Sequence, residues 1–303
     1  MCQECGCSKP GPYQIDGRIL QTEPERQPQR HKTGFWHRLL HPHNREHLHE
    51  HGHGHEHHHE HSHGHDHHEH GHGHHHERQV VDVNAALLDR NNRLAERNRG
   101  AWLALNMLTL NVVSSPGAGK TTLLQSTLTA LRGKLRTGVI VGDLATDNDA
   151  ARLRTTGAPV VQISTGTLCH LEAGMVAEAM KSLDLRAMDL LVIENVGNLV
   201  CPAAFDLGEA LRVVLLSVTE GEDKPLKYPP MFHSADVVIV TKTDLQAAAG
   251  FDRETALRNI RQSSPIAKIF ELSARSGEGL PAWCDYLVAQ RSRWLAQPCP
   301  QHP

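Results

Sequence analysis

The sequence predicts an α/β fold with a mostly parallel sheet flanked by helices, and three observations lead to it. Residues 114–121 read Ser-Ser-Pro-Gly-Ala-Gly-Lys-Thr, a glycine-bearing turn directly after the apolar run Leu108–Val113. A helical pattern follows, and a buried strand, such a turn and a helix in this order form a P-loop. Further along, short β-rich runs alternate with helical patterns, which is typical of parallel strands joined by crossover helices. We therefore predict a P-loop NTPase domain.

The elements of this domain follow from apolar runs and from periodicity. Short apolar, β-branched runs predict buried strands at Thr109–Val113, Gly138–Val141, Val160–Ile163, Leu190–Ile193, Val213–Ser217, Val237–Val240 and Ala267–Leu272. Longer stretches between them predict helices at Thr121–Leu131, Asn148–Thr155, Glu172–Ser182, Arg253–Gln262 and Leu280–Gln290. In such a sheet the carboxyl ends of the strands share one edge, and ligands bind at that edge.

Composition divides the chain into four parts. Residues 1–7 form a cysteine cluster. Residues 8–79 combine a linker-like segment with a histidine-rich tract, and this region contains 22 of the chain's 25 histidines. The region has too little apolar surface to offset the entropy of ordering, so we predict a disordered, metal-binding region before the P-loop domain. Residues 80–100 have the spacing of an amphipathic helix that ends near Gly100. Residues 101–295 are long enough for one buried core.

The composition also argues against several functions. There is no run of about 18 apolar residues, so no membrane span is expected. No apolar segment of a signal peptide follows the N-terminus, and the seven cysteines are an odd number, so a reducing cytoplasmic location is expected. Lys and Arg form no basic stripe, which argues against nucleic acid as a partner.

The P-loop and the residue after it are predicted to bind the phosphates of a nucleotide. These residues are Ser114, Ser115, Pro116, Gly117, Ala118, Gly119, Lys120, Thr121 and Thr122. Backbone N–H groups of such a loop wrap the phosphate chain, Lys120 reaches the outer phosphates and the Thr121 hydroxyl can bind Mg²⁺. Ser114 replaces the first glycine of G-x-x-x-x-G-K-S/T, while Gly117 and Gly119 still allow close approach of the backbone.

Two short motifs predict guanine as the base. Thr241-Lys242-Thr243-Asp244 follows a predicted strand and resembles N-K-x-D, whose aspartate accepts hydrogen bonds from guanine N1–H and N2–H₂. A pocket built for these donors rejects adenine. Ser273-Ala274-Arg275 follows the last predicted strand and resembles the S-A-K/R loop, whose backbone can donate to guanine O6. Either motif alone is equally an ordinary charged turn, but in this order behind a P-loop they favour GTP. Thr241 in place of asparagine is expected to weaken one polar contact.

Carboxylates at strand ends are candidates for Mg²⁺ binding and catalysis. Asp143 follows the second predicted strand and Glu194 ends the fourth, and Mg²⁺ takes one or two carboxylates besides phosphate. Gly197 stands where many GTPases have the glycine of D-x-x-G, so its N–H is expected to contact the γ-phosphate. Asp147 and Asp149 either position water or cap the next helix. The predicted catalytic set is Lys120, Asp143, Asp149 and Glu194.

Two cysteines and a histidine suggest a metal site in the globular domain. Cys169-His170 follows the third predicted strand and Cys201 follows the fourth, so all three are expected at the nucleotide edge of the sheet. Thiolate and imidazole ligands suit Zn²⁺ or Ni²⁺, and three ligands leave one position open. The alternative is that the cysteines are small apolar core residues.

A second candidate metal site lies at the N-terminus. Cys2, Cys5 and Cys7 place three thiols within six residues, an arrangement that suits square-planar Ni²⁺ as well as tetrahedral Zn²⁺. A disulfide or a reactive tail is the alternative. The histidine tract is expected to bind several divalent ions weakly, unless it is merely a solvated low-complexity segment.

Together these residues resemble the hydrogenase nickel-incorporation GTPase family, HypB. The resemblance covers the N-terminal M-C-x-x-C-G-C motif and nearly all of residues 105–290. Its most specific motifs are Ser114–Thr121, Thr165-Gly166 with Cys169-His170, Glu194-Asn195-Val196-Gly197-Asn198-Leu199-Val200-Cys201-Pro202 and Ser217-Val218-Thr219-Glu220-Gly221-Glu222-Asp223-Lys224-Pro225. Thr241 departs from the family's base-reading motif.

The resemblance implies a cytosolic GTPase that delivers Ni²⁺ to the large subunit of NiFe-hydrogenase during its maturation. It implies a homodimer that forms on GTP binding and works with a zinc-binding accessory protein of the same pathway. The metal sites it implies are a nickel site at Cys2, Cys5 and Cys7 and a zinc or nickel site at Cys169, His170 and Cys201. Two alternatives remain open: a nickel storage protein with a regulatory G domain, and a urease-type nickel-insertion GTPase.

Overall fold

The computed structural model describes residues 12–20, 74–144 and 146–296, with the side chains of the first helix described from residue 84 onward. The described residues 12–20, 80–144 and 146–296 belong to one compact unit, and residues 74–79, which are helical, belong to a second. The predicted ligands Cys2, Cys5 and Cys7, and the histidine tract up to residue 73, lie outside the described residues.

Within the described part of the chain, nine strands form one sheet in the order β2-β1-β5-β4-β6-β3-β7-β8-β9. Their bounds are Tyr13–Ile15 (β1), Arg18–Leu20 (β2), Leu108–Ser114 (β3), Thr137–Asp143 (β4), Val160–Ser164 (β5), Leu190–Glu194 (β6), Leu211–Ser217 (β7), Val237–Thr241 (β8) and Lys268–Leu272 (β9). Strands β3 to β9 are all parallel. The predicted parallel α/β sheet is confirmed, and every predicted strand is present with nearly the predicted bounds.

Helices connect these strands and cover both faces of the sheet. They are His74–Ala104 (α1), Lys120–Leu131 (α2), Asn148–Arg154 (α3), Ala173–Met180 (α4), Lys224–Lys227 (α5), Pro229–His233 (α6), Gln246–Ala249 (α7), Arg253–Ser263 (α8) and Leu280–Ala296 (α9). All five helices predicted within the P-loop domain are present, and the short helices α5, α6 and α7 were not predicted. None of the helices in the described ranges carries an apolar stretch long enough to cross a bilayer.

The central strand β3 fixes the position of the P-loop because all seven of its residues are buried. Successive side chains of β3 point to opposite faces of the sheet and therefore pack in different hydrophobic clusters. Val112 packs in the cluster that contains Leu124 of α2, whereas Val113 packs in the cluster that contains Leu216 and Phe232. Packing on both faces holds the end of β3 rigidly, and the P-loop starts there.

Helix α1 is longer than the predicted segment 80–100. It begins at His74 and continues past Gly100 to Ala104. The extension at its C-terminal end has a packing cause, since Trp102 is only 1% exposed and its Nε1 lies 3.3 Å from Met180 Sδ. Burial of this large side chain outweighs the cost of a glycine inside a helix, which is about 1 kcal/mol.

The linker prediction is wrong for residues 12–20. They form a hairpin in which β1 pairs antiparallel with β2 and with the edge strand β5. Asp16 and Gly17 occupy its turn with positive φ angles of 43° and 80°. Asp-Gly between alternating apolar residues is a strong hairpin signal, because both residues tolerate a positive φ. The Asp16 N–H donates to the Gln162 carbonyl at 3.0 Å, and an Asp16 carboxylate oxygen accepts from the Gln162 N–H at 3.0 Å.

Candidate nucleotide and metal site

The P-loop has the backbone shape that a phosphate cradle needs. Gly117 and Gly119 adopt positive φ angles of 76° and 96°, which glycine adopts without a steric penalty. The Lys120 Nζ donates to Ser114 Oγ at 3.0 Å, so the lysine folds back over the loop. Ser114 is buried at the end of β3. The serine in place of the first glycine therefore supplies a partner for the lysine.

Thr121 and Glu194 meet beneath the loop, as the strand-end rule predicts. The Thr121 hydroxyl donates to Glu194 Oε1 at 2.7 Å. Burial raises the pKa of the Glu194 carboxyl to about 7, although the Thr121 hydroxyl and the Lys120 ammonium act in the opposite direction. The other carboxylate oxygen, Oε2, is buried without a hydrogen-bond partner in the described part of the chain. A hydroxyl beside an unpaired carboxylate oxygen is a donor set that fits Mg²⁺ or a water bound to it.

A cavity of about 500 Å³ opens above these two residues. Lys120, Asp143, Asp149 and Glu194, the four predicted catalytic residues, all line it. The Asp143 carboxylate accepts from the Thr146 N–H at 3.1 Å and from its hydroxyl at 2.6 Å. The geometry brings the predicted set together in one place.

Asp147 does not join this group. It precedes α3, and among the described residues its side chain neither forms a capping hydrogen bond nor lines the cavity. Neither the capping role nor the water-positioning role considered for Asp147 has support in the structure. Asp149 lies in the first turn of α3 and faces the cavity.

The ammonium of Lys120 lies buried at this cavity, near several carboxylates. Burial lowers the pKa of the Lys120 ammonium, while Glu194, Asp149, Glu220 and Asp143 partly offset that effect. A triphosphate carries the charge that would stabilise this ammonium, and the loop N–H groups would bind the same oxygens.

Arg152 also lines the cavity and was not predicted. It lies on α3, and its Nη2 donates to Thr122 Oγ1 at 3.1 Å. Its Nη1 lies 3.8 Å from Asp149. The sequence gives no signal for this residue, because its position depends on how α3 is rotated against α2.

A smaller cavity of about 180 Å³ continues from the first, since Gly119, Thr122 and Lys242 line both. It is lined by the predicted base-binding residues Thr241, Lys242, Asp244, Ser273, Ala274 and Arg275. The Lys242 Nζ donates to the Gly117 carbonyl at 2.7 Å, and the Thr241 hydroxyl donates to the Ala118 carbonyl at 2.8 Å. Thr241 thus connects the base-reading loop to the P-loop.

Cys169, His170 and Cys201 converge, as predicted, beside this edge of the sheet. Their ligand atoms all lie within 4.8 Å of one another. The two sulfur atoms are 2.9 Å apart, well beyond the ~2.05 Å of a disulfide bond. Two sulfurs and an imidazole at such distances form a donor set suited to Zn²⁺ or Ni²⁺.

His170 has the properties of a metal ligand rather than of an ordinary core histidine. It is 1% exposed, and neither ring nitrogen has a hydrogen-bond partner in the described part of the chain. Burial lowers its pKa to about 4, so the ring is neutral near pH 7 and offers a lone pair. The Phe205 ring lies against it at a centroid distance of 3.9 Å. A buried imidazole with two unpaired nitrogens is costly unless something binds it.

The segment from Glu194 to Cys201 links the nucleotide cavity to the cluster of Cys169, His170 and Cys201, the candidate metal site. A Cβ on Gly197 would lie 3.1 Å from Pro116 Cα, so this residue touches the P-loop. Asn195 Oδ1 accepts from the Leu171 N–H at 3.1 Å, and Asn198 Nδ2 donates to the Cys169 carbonyl at 3.3 Å. Sequence reasoning gave the two asparagines no role, because their partners are distant in the chain.

Comparison with known proteins decides the family. The model of the CobW/HypB/UreG nucleotide-binding domain matches residues 108–271. The hydrogenase maturation factor HypB of Escherichia coli (strain K12) is 52% identical over 215 residues, which are 71% of this chain and 74% of that protein. HypB of Azotobacter vinelandii is 50% identical over 219 residues, or 72% of each chain. The chain belongs to the HypB family.

Solved HypB structures share the fold. HypB from Helicobacter pylori in complex with nickel superposes with a TM-score of 0.65 at 40% identity, covering 67% of this chain and 96% of that one. HypB from Archaeoglobus fulgidus gives a TM-score of 0.63 at 39% identity, covering 67% and 99%. These structures confirm the α/β P-loop fold for the described G domain.

Proposed function

We propose that this HypB family member is a GTPase whose nucleotide cycle controls the binding and release of Ni²⁺ during the maturation of a NiFe-hydrogenase. One observation carries the proposal: a single short segment, residues 194–201, begins at the carboxylate under the P-loop and ends at a ligand of the metal cluster. Its contacts with Pro116 on one side and with Cys169 and Leu171 on the other connect the two sites.

Guanine recognition is supported by the second cavity. Asp244 is exposed at its edge and available to accept from the base, and Ser273 Oγ fixes the loop by accepting from the Arg275 and Ser276 N–H groups at 3.2 and 3.1 Å. A base without the two guanine donors would leave the carboxylate unpaired in the pocket.

Mg²⁺ fits the residues beneath the phosphates. The Thr121 hydroxyl and Glu194 would hold it, with Asp143 close by in the same cavity, and the ion would neutralise charge on the phosphate oxygens. In this proposal Lys120 binds the outer phosphates, Gly197 senses the γ-phosphate and Asp149 helps to position the attacking water. These roles are consistent with the place of each residue in the cavity.

Nickel is the cargo in this proposal, and zinc is an alternative occupant of the same cluster. Cys169, His170 and Cys201 would bind the ion in the G domain, while Cys2, Cys5 and Cys7 would form a separate N-terminal site. The histidine tract would act as a reservoir. The ligand types suit Ni²⁺ at both places, and the relative from Helicobacter pylori was crystallised with nickel.

GTP-dependent pairing of two subunits is part of the proposal. Leu144 and Val200 are large apolar side chains that are 43% and 51% exposed. One follows β4 at the nucleotide edge and the other directly precedes Cys201. Such residues support an interface across this edge. A zinc-binding accessory protein and the precursor of the hydrogenase large subunit are the further partners implied by the family resemblance.

Delivery of nickel to urease is a second candidate. The relatives from Helicobacter hepaticus and Helicobacter pylori, both 40% identical to this chain, are named hydrogenase/urease maturation factors.

A pure nickel-storage role is disfavoured, because Lys120, Thr121, Glu194 and Asp244 all keep the positions that a nucleotide requires. Deleting residues 41–76 distinguishes delivery from storage. If the protein delivers nickel, cells with the deletion should still mature hydrogenase; if it stores nickel, they should lose nickel tolerance.

Purified full-length protein provides the direct test. We expect Mg²⁺-dependent hydrolysis of GTP and little hydrolysis of ATP. Asp244→Ala should abolish the preference for GTP, and Asp285→Ala, which removes an exposed carboxylate on α9, should leave it intact. Equal rates with GTP and ATP for the wild-type chain would refute the proposed function.

A further inference from the structure

Helix α1 is bound to the segments that carry Cys169, His170 and Cys201, although none of its side chains described from residue 84 onward belongs to that cluster. Two of its asparagines, Asn91 and Asn98, are 4% and 3% exposed. They lie two helical turns apart, on one face of the helix. An asparagine in a helix interior favours neither the helix nor burial, so both side chains need partners.

Asn91 bridges two separate parts of the G domain. Its Oδ1 accepts from the Ala173 N–H at 2.9 Å, and its Nδ2 donates to the Asp206 carbonyl at 2.7 Å. Ala173 lies three residues after His170, and Asp206 lies five residues after Cys201. One side chain therefore joins the two ligand-bearing segments.

Asn98 repeats this bridge. Its Nδ2 donates to the Ala173 carbonyl at 2.9 Å and to the Leu207 carbonyl at 3.1 Å. Arg99 of the same helix adds an ion pair with Asp206 at 2.7 Å. Both bridges end on Ala173 on one side and on residues 206–207 on the other.

The second segment leads directly to the metal cluster. Phe205, adjacent to Asp206, lies against the His170 ring at 3.9 Å between centroids. Gly208, two residues after Asp206, has a φ angle of +86°, and a Cβ there would overlap the Ala95 carbonyl oxygen of α1. The close approach leaves the helix little freedom to shift against this segment.

We propose that Asn91 and Asn98 are positioning residues for the Cys169–His170–Cys201 site. By tying the backbone after His170 to the backbone after Cys201, they set the separation of the ligands and the orientation of the imidazole. The inference rests on the metal site proposed above. In the described structure these hydrogen bonds join the two asparagines to backbone groups of residues 173, 206 and 207, and neither asparagine lines the nucleotide cavity.

The test uses the full chain with Cys2, Cys5 and Cys7 replaced by Ser, so that thiolate-to-nickel charge-transfer absorption reports the cluster in the G domain. In this background Asn91→Ala and Asn98→Ala should each weaken nickel binding, measured by that absorption, by about two- to tenfold, the scale of one lost hydrogen bond between the two ligand-bearing segments. Asn92→Ala is the matched control, since Asn92 is the exposed neighbour of Asn91 on the same helix. It should bind nickel as the parent chain does.

A conservative variant separates positioning from folding. Asn91→Asp keeps the acceptor for the Ala173 N–H and loses the donor to the Asp206 carbonyl. Because a buried carboxylate oxygen then faces the Asp206 carbonyl, the variant should melt below the parent, and its charge-transfer band should change in intensity and energy, whereas a purely structural role would lower the melting temperature and leave the band unchanged. Unchanged spectra and affinity in all three variants, whatever their melting temperatures, would overturn the inference. Absence of the band in the parent chain would instead count against the proposed metal site.

Discussion

At the residue scale, the site depends on the Glu194 carboxyl, which is buried beneath the P-loop and accepts a hydrogen bond from the Thr121 hydroxyl. The residues that meet at the P-loop are set by sequence neighbours and by the rule that parallel strands end at one edge, so Lys120, Thr121 and Glu194 could be placed from sequence. Arg152 could not, because no sequence pattern fixes the rotation of a short helix against its neighbour. The same limit applies to Asn195 and Asn198, whose partners lie more than 20 residues away.

Replacing Glu194 by glutamine should raise stability and abolish hydrolysis. The folded-state pKa of about 7 lies above the ordinary value of 4.5, so between these values the folded protein binds more protons and the wild-type loses stability as pH rises. Above pH 7 the buried charge costs about 3 kcal/mol that the amide does not. In nucleotide-free protein with EDTA, Glu194→Gln should melt at a higher temperature than the wild-type at pH 8.

At pH 4.5 the two proteins should melt together, because the carboxyl is then protonated in the folded state. Glu254→Gln is a control in which an exposed carboxylate is removed from the first turn of α8. An advantage of Glu194→Gln that stayed constant from pH 4.5 to pH 8 would contradict the raised pKa.

Removing the Arg152 guanidinium should slow GTP hydrolysis. The side chain lines the phosphate cavity and contacts Thr122, so it is placed to stabilise charge on the phosphates. We expect Arg152→Ala to lower kcat/KM for GTP by about tenfold or more. The matched control is Arg154→Ala on the same helix, whose guanidinium points to Asp16 instead. Equal losses in the two variants would show that the effect is one of general charge or stability.

At the element scale, the prediction succeeded where an element is defined by its own periodicity. Strands β3 to β9 and helices α2, α3, α4, α8 and α9 are such elements. The prediction was wrong where a short element depends on its neighbours. The hairpin of residues 13–20 is stabilised by the edge of β5, and the Asp16-Gly17 turn is its one local signal within a polar segment. Helix α1 was found but truncated, since the burial of Trp102 that extends it is a tertiary effect.

The contact between α1 and Gly208 should be a sensitive point of the fold. An alanine at this position would place its Cβ against the Ala95 carbonyl of α1 and would also be strained at a φ of +86°. Gly208→Ala should therefore destabilise the protein by about 3 kcal/mol or more, by combining backbone strain with overpacking. Gly250→Ala is the control, with a φ of +64° and open space around it, and should cost only about 1 kcal/mol. Urea unfolding of both variants measures the difference, and equal costs would mean that α1 moves aside without penalty.

At the scale of the whole molecule, the N-terminal thiols and the nucleotide site belong to separate parts of the sequence. Lys120→Ala should abolish GTP hydrolysis, because the loop loses its charge for the outer phosphates. It should keep tight nickel binding at Cys2, Cys5 and Cys7, measured by the thiolate-to-nickel charge-transfer absorption of a chain that also carries Cys169→Ser and Cys201→Ser. Loss of both properties in the lysine variant would show that the two functions depend on one another.

Coupling between nucleotide and metal must be reciprocal if residues 194–201 transmit it. If a bound GTP analogue changes the affinity for nickel by some factor, bound nickel must change the affinity for the analogue by the same factor. A coupling free energy of about 1–3 kcal/mol corresponds to a factor of roughly 5–150. Nickel titrations of the Cys2, Cys5 and Cys7 serine variant with GDP and with a non-hydrolysable GTP analogue, paired with nucleotide titrations with and without nickel, measure both sides. Asn198→Ala removes the contact with the Cys169 carbonyl and should reduce both factors together. Identical nickel isotherms of the Cys2, Cys5 and Cys7 serine variant in the two nucleotide states would mean that hydrolysis does not govern release from this cluster.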